Sequence, residues 1–379
     1  MRKMSENVHH LFFGYDIFFN VNMRKKMIFK QKWLAIKCLI FVLLSAFIAL
    51  FWNEFRSLAS IKKIDGYGMF QMTYYGDYDF DNFLSRGAAN DRDIELYISR
   101  HLLKGIPIKL KISGGGCTAF TARNLKGEFL YGRNFDFYYA PSLQLLTRPV
   151  NGYASVSTVN LSFAGYSRDN LPSGLNSSSF LTLASPFLPF DGMNEKGLAI
   201  ALISVPQARP PFDKNKVTLN TTTAIRLVLD KTATVDEAVN ILRQYNIYFS
   251  GDIYCHYLIA DASGKSVIVE YFNGELQTVT TDEPYQIAAN FIAYNAVNIG
   301  EGFDEFQRYN TVKSVINNNN GFLTKEQAVS LLAQTGAVKG IDSLQWSVLY
   351  NLSALSGVIF AHRKVENLVE FTLISKSPD

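Results

Sequence analysis

Apolar and polar positions divide this chain into one long apolar block followed by many short alternating ones. Leu34 to Trp52 reads LAIKCLIFVLLSAFIALFW, 19 residues broken only by Lys37. About 20 apolar residues span a bilayer as a helix, so the block predicts a membrane-crossing segment. Lys37 can snorkel at one end, and Trp33 and Trp52 fit interfacial anchors. Farther on, the period shortens to two and predicts strands over 197–205, 256–260, 266–271, 346–351, 357–362 and 368–374. Two capping boxes interrupt them. Thr234-Val-Asp-Glu237 opens a helix to about Tyr245, and Thr324-Lys-Glu-Gln327 opens one to about Gln334, stopped by Gly336. Between the apolar block and residue 117 the pattern is mixed. Strands are expected over 69–80 and 104–112, and a helix over 91–103. Asn317–Gly321 reads as a loop, and no internal repeat is present. Strands, a helix pair and more strands predict a layered α+β domain.

Charge sharpens the reading of the first block. Arg2, Lys3, Arg24, Lys25, Lys26, Lys30, Lys32 and Lys37 face only Glu6 and Asp16 in the first tenth. The net charge of +4 therefore belongs to the leader, and the nearly neutral remainder has no nucleic-acid footprint. The positive-inside rule places 1–32 in the cytoplasm and everything after Trp52 outside. No small-x-small cleavage site follows, which predicts an uncleaved signal-anchor over 33–52, with a removed signal peptide and secretion as the alternative. The block 53–116 is too small for a secure core of its own and reads as a pro-segment packed on a domain over 117–379. With 48% hydrophobic residues among 379, the chain is globular rather than disordered. Its three cysteines, Cys38, Cys117 and Cys255, make no disulfide framework, and its five histidines make no metal-ligand pattern.

Cys117 follows Gly114-Gly115-Gly116 directly, and Gly132-Arg133-Asn134-Phe135-Asp136 follows soon after. A cut between Gly116 and Cys117 would leave a new N-terminus carrying a nucleophilic thiol and an α-amine. That amine has a pKa near 7.7–8.0 and can serve as the base for its own sulfur. Residues 117–124 and 129–134 are strand-like, and a two-residue turn at Lys126-Gly127 would join them. That register sets Cys117 opposite Asp136 and Phe120 opposite Arg133, although one bulge would shift it by a place. Arg133 would then favour the thiolate and Asp136 would orient the ammonium. A structural cysteine beside a surface Arg–Asp pair is the competing reading. Phe135, Phe137, Tyr138 and Tyr139 are candidates for an acyl pocket and equally for core.

These residues resemble the choloylglycine hydrolase family of linear-amide cysteine hydrolases. The family's mature chain starts Cys-Thr, as Cys117-Thr118 would, and continues with a GRNxD segment. Further matches follow in family order: Asp191–Leu198 (DGMNEKGL), His256–Gly264 with Val267–Glu270, Ala289-Asn290-Phe291, Gln307-Arg308-Tyr309 and Gln345–Asn351. The resemblance implies a four-layer αββα fold, hydrolysis of an N-acyl amide without cofactor or metal, and, at the family level, a homo-oligomer. It implies Cys117 as nucleophile flanked by Arg133 and Asp136, with Asn290 as oxyanion donor and Arg308 closing the cluster. Where bile salt hydrolases carry an asparagine donor, this chain has Ser204; Asn194 is a turn-former or a substrate contact. Acyl transfer through the same thioester, and an uncut, non-catalytic binding protein, are the alternatives.

Overall fold

The computed structural model describes residues 26–27, 29–111, 115–205, 208–294, 299–300, 303–337 and 343–373. The basic leader up to residue 25, Gly114, and Ile112 at the end of an expected strand lie outside the described residues. The chain divides into two compact units, Met1–Trp52 and Asn53–Asp379. The first is built on helix α1 (Phe29–Leu50), which is long and apolar enough to cross a membrane, a test that a signal sequence also passes. Within it the Lys37 ammonium lies 5.6 Å from the centre of the Trp33 ring.

The second unit begins one residue into α2 (Trp52–Ala59) and runs through β1 (Lys62–Lys63), β2 (Met69–Thr73), α3 (Phe80–Arg86) and α4 (Asp91–His101). It continues with β3 (Gly116–Arg123), β4 (Phe129–Phe137), β5 (Ser142–Thr147), β6 (Ser155–Asn160), β7 (Pro189–Asn194) and β8 (Ala199–Ser204). After β9 (Thr218–Asn220) come α5 (Thr221–Lys231), α6 (Val235–Leu242), β10 (Asn246–Tyr248), β11 (Cys255–Ala260), β12 (Ser266–Phe272) and β13 (Glu275–Val279). The last part holds β14 (Ile287–Ala289), β15 (Phe291–Ile292), β16 (Ile299–Gly300), α7 (Phe303–Asn318), α8 (Lys325–Thr335), β17 (Ser343–Asn351), β18 (Ser356–Ala361) and β19 (Val369–Thr372).

Two large sheets carry the architecture. One has nine strands in the order β1-β2-β5-β6-β7-β8-β11-β12-β13, and the other six in the order β14-β3-β4-β17-β18-β19. β3 and β14 meet β8 across the sheet interface. α5 packs on β7 and β8 of the large sheet, α6 on β11 and β12; α7 packs on β14 and β3, and α8 on β4 and β17. Helices therefore cover the outer faces of two sheets packed on each other. One apolar core fills the space around the large sheet and between the sheets, and a second lies under α7 and α8. Burying one face of each sheet against the other and the opposite face under helices leaves strands apolar on both sides, as the wholly buried β7 and β11 show.

Residues 53–111 are part of this unit. β2 pairs in parallel with β5, so β1 and β2 form the edge of the nine-stranded sheet. Phe80, Phe83 and Tyr97 pack on Phe187. The expected strand over 104–112 joins no ladder among its described residues; Ile108 and Leu110 are buried, but Pro107 has no N–H to give. The expected strand over 69–80 ends at Thr73 and turns into α3.

Candidate active site

The site is built on the β3–β4 hairpin, and its turn differs from the expected one. Asn124 N–H donates to Glu128 O at 2.9 Å, and Gly127 N–H to Asn124 O at 2.9 Å. Three residues lie between the closing pair, and Gly127 holds φ at +80°, the left-handed position that ends a three-residue hairpin loop. The extra residue moves the register by one. Gly116 pairs with Asp136, Cys117 with Phe135 and Ala119 with Arg133. Phe120 pairs with Gly132 instead of Arg133, and a Cβ on Gly132 would stand 2.6 Å from the Phe120 ring. The expected pairing of Cys117 with Asp136 is thus corrected. Because successive side chains alternate faces, Arg133 and Cys117 point to one side of the sheet and Asp136 to the other.

On the first side, facing the nine-stranded sheet, the buried Cys117 Sγ lies 3.6 Å from Arg133 Nη2. Arg133 is itself wholly buried. Its Nη1 stands 3.3 Å from Asp191 Oδ2, an ion-pair distance without hydrogen-bond alignment, and its Nη2 reaches Leu202 O at 3.4 Å. The guanidinium lies over the Phe135 and Trp346 rings at 4.8 and 5.2 Å. Asp191 is fixed in turn by Trp346 Nε1–H at 3.1 Å and Tyr350 O–H at 2.7 Å. Burial pushes the Cys117 thiol up; Arg133 pulls it down, Asp136 adds to the rise, and the Ser204 backbone and Arg308 pull it down. The net direction is upward, so in the uncut chain the expected favouring of the thiolate by Arg133 is outweighed by desolvation.

On the second side, Arg308 of α7 gathers the remaining groups. Its Nη1 donates to Thr118 Oγ1 at 2.7 Å, Cys117 O at 3.0 Å and Asp136 Oδ2 at 3.1 Å; its Nη2 donates to Asn290 Oδ1 at 2.9 Å. Asp136 Oδ1 also accepts Ala337 N–H at 2.9 Å, just past the end of α8. Asn290 follows β14 directly. Its Oδ1 accepts the Cys117 backbone N–H at 2.9 Å, while its Nδ2 donates to Ser204 O at 2.7 Å. Hydrogen bonds and ion pairs from both faces thus converge around the Gly116–Cys117 link.

The profile of the linear amide C-N hydrolases, choloylglycine hydrolase family, matches residues 117–337 and begins on Cys117. The chain belongs to this family. A penicillin V acylase of Pectobacterium atrosepticum is 34% identical over 111 residues, covering 26% of this chain and 29% of that protein; the match thus spans under a third of the relative's length. Among solved structures, a variant of the conjugated bile acid hydrolase from Clostridium perfringens superposes with TM-score 0.50 at 17% identity, covering 68% of this chain and 92% of that one. The penicillin V acylase of Agrobacterium tumefaciens gives 0.47 at 19%, covering 65% and 83%. The first of these shows a shared fold, mixed α+β of the N-terminal nucleophile hydrolase type.

The motifs of this choloylglycine hydrolase family member divide by what they touch. Ser204 reaches the site through its backbone. Its ladder partner is Cys255, so its side chain shares the face of Cys255 and Tyr257, whose hydroxyl donates to Thr221 O at the start of α5. Asn194 is taken up by its turn: it donates to Leu229 O and Thr232 O and accepts Lys196 and Leu198 N–H. Asn134 ties β4 to Leu332 O on α8. Phe135 and Phe137 are buried among Phe163, Phe190 and Trp346, whereas Tyr138 is exposed. Sequence reading assigned no role to Asp191 or Thr118. The available signal was chemical, since a buried Arg133 requires a nearby carboxylate and Asp191 heads a matched motif.

Proposed function

We propose that this chain is a cysteine N-terminal nucleophile amidase that cuts itself between Gly116 and Cys117 and then hydrolyses a linear C–N bond in an N-acyl small molecule. The observation that carries the reading is the Gly116–Cys117 link itself, with Arg133 at the sulfur and Asn290 Oδ1 on the Cys117 nitrogen, in a family match that starts on Cys117. Cleavage transfers the Gly116 acyl group from nitrogen to Sγ, and water hydrolyses that thioester to give the Gly116 carboxylate and the Cys117 amine. The freed amine then takes the thiol proton, and the thiolate adds to the substrate carbonyl. Asn290 Nδ2 carries a second N–H beyond the one given to Ser204, and this is the donor for the oxyanion. Collapse expels the protonated amine and leaves an acyl thioester, which water hydrolyses to acid and free thiol. Asp136 and Arg308 hold the new terminus in place.

The same reading assigns 53–116 as a pro-segment, 117–379 as the catalytic domain and α1 as a signal-anchor with the catalytic domain outside the cytoplasm. The edge position of β1 and β2 supports retention of the pro-segment after the cut, because their ladder to β5 survives it. Intact mass of purified wild type beside Cys117→Ala tests the cut: two chains divided before Cys117 are expected from the wild type and one from the variant. A wild type that stays whole while remaining active refutes the reading. Penicillin V, conjugated bile acids, N-acyl ethanolamines and N-acyl amino acids form the panel that identifies the substrate.

A further inference from the structure

His256 and Glu270 belong to motifs that the site described above leaves without a role. Both are buried, on the adjacent strands β11 and β12, and His256 Nδ1 lies 2.8 Å from Glu270 Oε1. Tyr257, next along β11, turns toward α5, so His256 faces the sheet that carries Cys117. A carboxylate can only accept, so Nδ1 is the donor; Nε2 has no partner among the described residues. Glu270 Oε1 also accepts Ala293 N–H at 3.0 Å, and Oε2 accepts Tyr294 N–H at 2.9 Å. Burial alone would raise the Glu270 carboxyl, but His256 and these two N–H groups outweigh it and hold it below the usual range. One ionised carboxylate thus takes three charge-assisted bonds, each roughly twice a neutral one in strength. The two backbone donors lie three and four residues after Asn290. The segment 287–294 is therefore held at three places: by the β14–β3 ladder, by Asn290 between Cys117 and Ser204, and by Glu270.

We propose that His256 and Glu270 are positioning residues: His256 orients the Glu270 carboxylate, which pins the backbone after Asn290 and so fixes the Asn290 amide against the Cys117 nitrogen and the reacting carbonyl. The proposal rests on the oxyanion role given to Asn290 above. An amide aimed by a rigid segment costs no reorganisation in the transition state, whereas a loosened one does. The carboxylate works through the main chain and never touches substrate.

The test uses the full chain carrying Glu270→Gln, His256→Leu, or His256→Asn, whose side-chain N–H can stand in for Nδ1–H. Amide exchange over 287–294 is expected to rise about tenfold or more in the first two and to stay near wild type in His256→Asn, with β4 and β17 unchanged. On whichever panel substrate the wild type turns over fastest, kcat should fall about tenfold with KM within about twofold. Adding Glu270→Gln to Asn290→Ala should cause no loss beyond that of Asn290→Ala alone. Unchanged exchange in 287–294, or losses that multiply in the double variant, overturns the proposal. If Glu270→Gln does not fold, the two His256 variants decide by the same exchange measurement. Wild-type turnover in Asn290→Ala would instead refute the oxyanion role, while the exchange data would still judge the brace.

Discussion

A guanidinium shut away from water needs a counter-charge, and for Arg133 that is Asp191, 3.3 Å away and equally buried. The pair faces two demands: it must neutralise itself and still leave positive potential at Sγ, 3.6 Å from Nη2. Arg133→Gln should cost about 3–5 kcal/mol, chiefly by stranding the Asp191 charge. Adding Asp191→Asn should recover much of that stability while leaving the thiol slow to react. Denaturant titration reads the first effect, and the pH profile of Cys117 alkylation in the cleaved protein reads the second. Alkylation in the double variant that matches wild type would show that Arg133 does not tune the sulfur. Residue identities at the site were legible in the motifs; the partner that makes a buried arginine tolerable was not, because it comes from β7, far along the chain.

At the scale of elements, one residue in a turn sets the chemistry. Gly127 at φ +80° makes the loop three residues long, and the resulting register puts Cys117 on the face of β4 that carries Arg133 rather than the one that carries Asp136. Gly127→Ala should cost about 1–2 kcal/mol through left-handed strain and leave the proposed cleavage before Cys117 intact. Mass spectrometry of the variant checks the cleavage, and denaturant titration checks the cost. β5, β6 and β7 of the large sheet were not predicted, whereas β8, β11, β12, β17, β18 and β19 were readable from their period of two, and α6 and α8 from their capping boxes. α5 was not: it opens Thr221-Thr222-Thr223, β-branched residues that restrict rotamers in a helix, and burial on nearly every side erases the amphipathic signal. The N-cap at Asn220, whose side chain and Thr223 bond reciprocally, was the available clue.

Across the whole molecule, residues 53–111 are integrated in the second unit through polar contacts as well as a ladder. Tyr78 O–H donates to Asp230 Oδ2 at 2.7 Å, and Arg226 Nη1 stands 3.3 Å from Asp230 Oδ1. Arg226 also reaches Thr147, Ser155 and Ser157 on the large sheet. Burial pushes the Asp230 carboxyl up to about 6, against the downward pull of Arg226 and Tyr78. A raised folded-state value means that the folded protein binds the proton more tightly. This group's stabilising share is therefore complete below about pH 4 and is lost as pH rises through 6. Wild type should lose about 2 kcal/mol relative to Asp230→Asn between pH 4 and pH 7. Denaturant titrations at the two pH values check it, and a constant difference would contradict it.

By itself the sequence determined the family, the strand-rich class, the apolar helix near the N-terminus and the identity of the residues around Cys117. Those depend on local period, composition and short motifs, which a linear string carries. The tertiary structure decided which face each side chain occupies, that Asp191 neutralises Arg133, that Ser204 meets Asn290 through its backbone, and that β1 and β2 complete the nine-stranded sheet. The reason is physical: strand register is fixed by turn geometry, and buried charges are neutralised by partners on distant strands. Neither the turn's length in space nor the distance between β4 and β7 is written in the order of the residues.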